Sequence, residues 1–352
     1  MNNETPWLQV PAADIDEQAR LDAEERQTRL TKPLGSLGLL EPLACRLAGM
    51  QGSATPRVDK VQISIFAGDH GVAAEGISRF PQSVTAEMVR NFARGGAAIS
   101  VLARSLDAQL EVINLGTVTD TGPLEGVLDV RVGPGTANFV DAPAMDIHQL
   151  ALAMNAGRHS AERARLAGTE LYIAGEMGIG NTTAAAGLAC ALMGLDPREL
   201  AGPGTGLDVA GVSHKADVLR RALAFHRDHL EDPVECLRRL GGFEIAAMSG
   251  AYLACAQMGM PIMVDGFISS AAALATARIC PSARNWMIFG HASAEPGHRH
   301  VLSSLAADPL LDLGMRLGEA SGAATAVPLL RLACDLHGRM ATFDEAQVSE
   351  PD

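Results

Sequence analysis

Short, almost continuously apolar runs alternate with helix-length segments, and no other feature constrains the fold of this chain as tightly. The runs are Val61–Ala67, Leu110–Leu115, Glu170–Ala174, Pro261–Val264 and Trp286–Phe289, with Leu128–Val132 a weaker sixth. Runs of this kind, bounded by Gly or Asp and followed by helical patterns, read as parallel strands buried on both faces. Between them lie the helical stretches Thr85–Leu106, Met145–Leu166, Asn181–Met193, Ser213–Leu230 and Phe243–Met258. The alternation predicts a doubly wound α/β sheet with right-handed crossovers. Asp14–Arg29 and Leu311–Met340 carry helical patterns without a strand and can pack together as a small helical subdomain. The acidic residues from Asp344 onward are expected to fray.

Composition narrows the function classes. With 352 residues, 47% hydrophobic and 20% charged, the chain can bury a core without staples. Its formal charge of −13 argues against a nucleic-acid or anionic-membrane surface, both of which need a basic footprint. Cys45, Cys190, Cys236, Cys255, Cys280 and Cys334 never form C-x-x-C, and most sit in apolar runs. They read as buried, reduced thiols rather than a disulfide framework or a zinc site. The polar, acidic N-terminus has no secretory pattern, and the longest apolar tract, around Phe267–Ala277, is too short for a bilayer. A cytoplasmic protein is expected.

In open α/β sheets the ligand sits beyond the carboxyl ends of the strands. Four strand ends here carry Gly with polar or ionisable groups: Gly68–Val72, Gly175–Thr183, Asp265–Ser270 and Gly290–Gly297. Gly175–Thr183 is the most informative. Its glycines permit a tight turn, and Asn181-Thr182-Thr183 opens an Ala-rich helix, an arrangement that binds phosphate through amides and the helix dipole. It is neither a Walker A loop nor G-x-G-x-x-G, and an ordinary Gly-rich turn with a Thr cap fits the pattern equally well. Glu176 tips the balance, because phosphate repels a carboxylate unless that carboxylate serves another part of the ligand. Lys215 is either a solvated surface charge or the counter-charge of such a phosphate. Asp69 and His70 read as a loop cap and a neutral, hydrogen-bonded imidazole rather than half of a metal site, and no metal is expected. Glu319 reads by itself as an exposed helical Glu. Were its Gly-Ala-Ser surroundings to bury it, its pKa would rise and it would become a better base near neutrality.

Together these stretches resemble the nicotinate-nucleotide–dimethylbenzimidazole phosphoribosyltransferases. The resemblance is carried by Lys32–Gly38, Ala67–Val72, Phe80–Thr85, Pro134–Asn138, Gly175–Thr183, Leu240–Ile245, Val264–Phe267 and Arg316–Gly322, in the family's order. The first motif departs from the usual Lys-Pro-Pro-Gly at Leu34. The resemblance implies a Rossmann-like parallel sheet of about six strands in a large catalytic domain, residues 40–310. It also implies a small helical domain built from both chain ends, residues 1–39 plus 311–352, and a homodimer. It implies transfer of phosphoribose from nicotinate mononucleotide to 5,6-dimethylbenzimidazole, with inversion at the anomeric carbon and no cofactor. By motif, Glu319 matches the general base and Glu176 a second acidic residue. Gly178, Gly180 and Asn181 match phosphate contacts with Lys215 as counter-charge, while Gly266 and Ser293 match positions near the ribose phosphate. Phe80, Pro81, Gln82, Met177 and Leu317 are the candidates for the slot that takes the aromatic base. Two other readings compete: an N-glycosidase with water as acceptor, and a nucleotide-binding module without activity. A nicotinamide-dependent dehydrogenase is disfavoured by the missing G-x-G-x-x-G.

Overall fold

A computed structural model describes residues 6–349, so the expectations for residues 1–5 and 350–352 at the chain ends lie outside the described residues. Six strands form one sheet: β1 (Val61–Gly68), β2 (Gln109–Gly116), β3 (Val127–Asp129), β4 (Leu171–Met177), β5 (Ile262–Val264) and β6 (Met287–Phe289). All neighbours pair in parallel, in the order β3-β2-β1-β4-β5-β6. The fold is thus the expected α/β sheet flanked by helices. Its winding reverses between β1 and β4, which opens a crevice beyond Gly68 and Met177.

Burial explains which strands were easy to read. β4, β5 and β6 are buried almost throughout, and they are apolar apart from Gly175 and Glu176 near the end of β4. β3 is an edge strand with Leu128 43% exposed, so its pattern is diluted. It is also shorter than the run Leu128–Val132. Residues 130–132 leave the ladder, yet Val130 and Val132 still donate backbone N–H bonds to Asn114 and Leu115 of β2.

Three helical expectations need correction. Thr85–Leu106 is two helices, Ser83–Ala93 and Ala98–Ser105, parted at Gly95, whose φ is +78°. Leu311–Met340 is helical only over Ser321–Arg339. Its first part runs extended beside the β6 exit, with Ala292 and Ala294 donating to the carbonyls of Leu311 and Met315. The tail does not simply fray from Asp344: Thr342 forms a capping box with Glu345 and starts the short helix Phe343–Ala346.

Segments near the two ends of the chain meet. Arg26 donates to the carbonyls of His337, Gly338 and Met340, and the Gln27 amide bonds His337 Nδ1. Helix Leu40–Gln51 packs against both Glu17–Arg29 and Ser321–Arg339.

Candidate active site

A cleft of about 550 Å³ lies at the carboxyl ends of β4, β5 and β6, roofed by Arg316–Glu319. Its wall begins with the turn after β4. Gly180 has φ +104°, a conformation open to glycine, and a Cβ there would stand 3.1 Å from the His70 Cβ. The turn therefore sits directly on His70. That imidazole is fully buried and bonds Glu244 Oε1 through Nε2 at 2.6 Å, while Asp69 accepts from the Thr85 hydroxyl and the Val118 N–H. Asp69 and His70 thus act as loop cap and hydrogen-bonded imidazole, as their types suggested. Three N–H groups of the turn already have protein acceptors: Ile179 gives to Thr85 Oγ1, Asn181 to Gly178 O and Thr183 to Gly180 O.

Four buried carboxyl groups line the cleft. Glu295 lies toward Lys215, and the other three, Glu176, Asp265 and Glu319, act on one another. Glu176, one residue from the end of β4, accepts from the Asn181 side-chain amide and from the backbone N–H of Glu319. Complete burial, followed by repulsion from Asp265, Glu244 and Glu319, holds its pKa well above the usual carboxyl range. Asp265 follows β5 and accepts from the Ala323 N–H at 2.7 Å, with His291 Nε2 3.6 Å away. Burial raises its pKa too, against the pull of His291 and of backbone donors.

Glu319 is the third. It is only 6% exposed, and its Oε2 has no hydrogen-bond partner among the described residues. Burial raises its pKa, opposed by the Ile99 N–H at the start of helix Ala98–Ser105. The backbone that presents it is unusual. Gly318, Glu319 and Ala320 have φ of +87°, +59° and +61°, a left-handed run that two non-glycine residues enter at a cost. Strain of this kind persists only where surrounding contacts hold it. Here the contacts are Glu176 on one side and the Ser321–Arg339 helix on the other.

Lys215 stands behind the wall rather than in it. Its ammonium is 1% exposed and donates to Thr182 Oγ1 and Gly202 O, each at 3.1 Å. Burial pushes its pKa down to about 8, while the charge of Glu295 acts the other way. Met177, Gly178, Asn181, Gly266, Ser293 and Leu317 line the cleft with the two glutamates. Phe80 also lines it, and with Leu317 it leaves apolar surface at the mouth, 53% and 59% exposed. Gly180, Pro81 and Gln82 are not among the lining residues. The Gln82 side chain is turned away to donate to the His70 carbonyl at 2.8 Å.

Residues 12–348 match the family described as phosphoribosyltransferase. The chain is 61% identical to the nicotinate-nucleotide–dimethylbenzimidazole phosphoribosyltransferase of Pseudomonas aeruginosa strain LESB58, over 98% of each chain. It is 59% identical to the protein of that name from Pseudomonas fluorescens strain Pf-5, over 99% of each. Among solved structures, CobT from Thermus thermophilus superposes with a TM-score of 0.91 at 44% identity, covering 95% of this chain and all of that one. The chain belongs to the nicotinate-nucleotide–dimethylbenzimidazole phosphoribosyltransferase family.

Within this family member the cleft also holds residues that sequence reasoning did not assign to it: Asp265, Glu295, Thr182, Arg316, Val84 and Met88. Asp265 and Glu295 were within reach, since both lie at strand ends already singled out. Val84 and Met88 carried no signal, because a helix reveals which face it buries only once its neighbours are known.

Proposed function

We propose that this chain transfers phosphoribose from nicotinate mononucleotide to 5,6-dimethylbenzimidazole, yielding α-ribazole 5′-phosphate and nicotinate for the lower ligand of cobalamin. One observation carries the mechanistic part: a buried carboxyl, Glu319, held in a strained turn with an oxygen left unpaired at the cleft.

The benzimidazole nitrogen attacks C1′ from the face opposite nicotinate. The C1′–N bond to nicotinate breaks, and its electron pair leaves with the pyridine nitrogen. As the new bond forms, the second benzimidazole nitrogen becomes acidic and passes its proton to Glu319. General-base help of this kind is worth about 10²–10⁴-fold. Oxocarbenium character at C1′ is favoured by the negative charge that Glu319 carries until it takes the proton. Glu176, whose burial favours the protonated form, serves as a neutral acid that holds the turn through Asn181 and hydrogen-bonds the sugar.

The phosphate reading rests on Thr182 at the start of helix Asn181–Met193, with Lys215 behind it. Gly178, Gly266 and Ser293 complete that end. Phe80, Met177 and Leu317 give the acceptor an apolar slot, with Pro81 and Gln82 shaping the segment outside it. The contacts of Arg26 with residues 337–340 support a small domain drawn from the described parts of residues 1–39 and 311–352, beside the 40–310 body. The exposed Phe80 and Leu317 at the cleft mouth support a homodimer in which a second copy borders each site, to be checked by light scattering. Six buried, unpaired cysteines support a cytoplasmic location.

The test is product analysis. With both substrates, ribazole phosphate and nicotinate should appear in equal amounts. Nicotinate release at an undiminished rate without the benzimidazole would replace the transferase with a hydrolase.

A further inference from the structure

His298 is fully buried, and each of its ring nitrogens has a partner. The backbone N–H of Ser293 donates to Nδ1 at 2.8 Å, and Nε2 lies 2.9 Å from the Ser270 hydroxyl oxygen. A backbone N–H can only donate. Nδ1 must therefore carry a lone pair, the ring proton must sit on Nε2, and Ser270 Oγ must accept it. Burial, reinforced by the nearby His291 ring, pushes the imidazole pKa down to about 3, so the neutral form is the one the fold holds.

What this imidazole fixes is the loop between β6 and the cleft. The Ser293 N–H points inward to His298. The flanking N–H groups of Ala292 and Ala294 point the other way, to the carbonyls of Leu311 and Met315. Ser293 Oγ accepts from the Glu295 N–H, and the His298 N–H closes the turn on the Glu295 carbonyl. The Ser293 hydroxyl proton is thus left to donate toward the cleft that Ser293 lines. The 311–315 strip paired to this loop leads straight into Arg316–Glu319.

We propose that His298 is a positioning residue for the transfer: held as the Nε2–H tautomer by Ser270, it aims Ser293 into the cleft and sets the register of the strip that delivers Glu319. Its kinetic arm rests on the phosphoribosyl-transfer reading; its structural arm does not.

Two side chains separate this role from simple packing. In His298→Asn the amide oxygen can occupy the place of Nδ1 and still accept from Ser293. In His298→Gln the amide reaches toward Ser270 and leaves the Ser293 N–H buried and unpaired. The Gln variant should lose about ten-fold or more in kcat/KM for nicotinate mononucleotide, and the Asn variant about three-fold or less. Losses of equal size in the two variants overturn the proposal. Independently, ¹⁵N-histidine spectra of the wild-type protein at neutral pH should contain a neutral Nε2–H imidazole that disappears in His298→Asn. Through-bond assignment of His298 in the wild-type spectrum identifies the ring without any variant, and a cationic or Nδ1–H form there overturns the proposal. Wild-type protein that shows this tautomer but makes no ribazole phosphate keeps the structural assignment and removes the functional reading instead.

Discussion

Glu319 and Lys215 are both ionisable groups held where water cannot solvate them, and each makes a separable prediction. Glu319→Gln keeps the shape and removes the basicity, so kcat should fall by roughly 10²-fold or more while both substrates still bind. Because burial raises the Glu319 pKa, the wild-type rate should decline as pH falls through that raised value, where the base takes a proton. The limb should be missing from the Gln variant, and near-normal turnover in that variant would end the general-base role. For Lys215 the sign is opposite. Its native pKa of about 8 lies below the 10.5 of a free lysine, so at neutral pH the ligand-free fold carries the cost of a buried ammonium. That cost is relieved as pH rises from about 8 toward 10.5, where the native state sheds the proton before the unfolded chain does. Lys215→Met should therefore stabilise the ligand-free protein by roughly 1–3 kcal/mol at neutral pH while raising KM for nicotinate mononucleotide. Thermal melts and initial-rate kinetics on one preparation read both effects. A variant that loses stability and keeps its KM contradicts the assignment.

Among the elements, β4 and the turn that carries Glu319 approach one another closely. A Cβ on Gly175 would lie 2.5 Å from the Ala320 nitrogen, and one on Gly318 would lie 2.4 Å from Glu176 Oε1. Both obstacles belong to the same junction, and the first is backbone that cannot rotate aside. Gly175→Ala should push the turn off the strand, costing about 1–3 kcal/mol by overpacking and displacing Glu319. The expected result is a folded protein whose kcat falls more than its substrate affinity, read by calorimetric binding beside turnover. Unchanged kcat would show that the turn does not need this contact. The same turn shows where sequence reading faltered. Gly314 and Gly318 break the 311–340 pattern just as Gly95 and Gly96 break 85–106, so those signals were present and were outweighed by apolar periodicity. Helix Asn181–Met193, by contrast, is found at the residues expected, because glycines in the left-handed conformation bracket it at both ends.

At the scale of the molecule, the sheet fixes where the cleft can be, and segments near the two chain ends close on one another. Arg26 satisfies three carbonyls at the end of the Ser321–Arg339 helix, the helix that the Glu319 turn leads into. Arg26→Ala should lower stability by about 1–3 kcal/mol, seen as a lower urea midpoint with an unchanged slope. Since Arg26 does not line the cleft, turnover per folded molecule should hold. A variant as stable as wild type would show that the closure of the ends is incidental.

The sequence by itself determined the sheet, its buried strands and the four strand ends at which chemistry collects, because burial on two faces and tight turns write directly into residue type and spacing. Its motifs also carried the family resemblance that the comparisons bear out. It did not determine which side chains share a cavity. Glu319 reads from its neighbours as an exposed helical residue, yet the fold buries it. Its backbone N–H bonds Glu176, the Ile99 N–H bonds its side chain, and repulsion from Asp265 helps raise its pKa, all from residues distant along the chain. Lys215 could be named but not placed, since only packing puts Thr182 between it and the cleft. Periodicity reports on neighbours one turn away, whereas solvation and proton affinity depend on whatever the folded chain brings within a few ångströms. That part was decided by the tertiary structure.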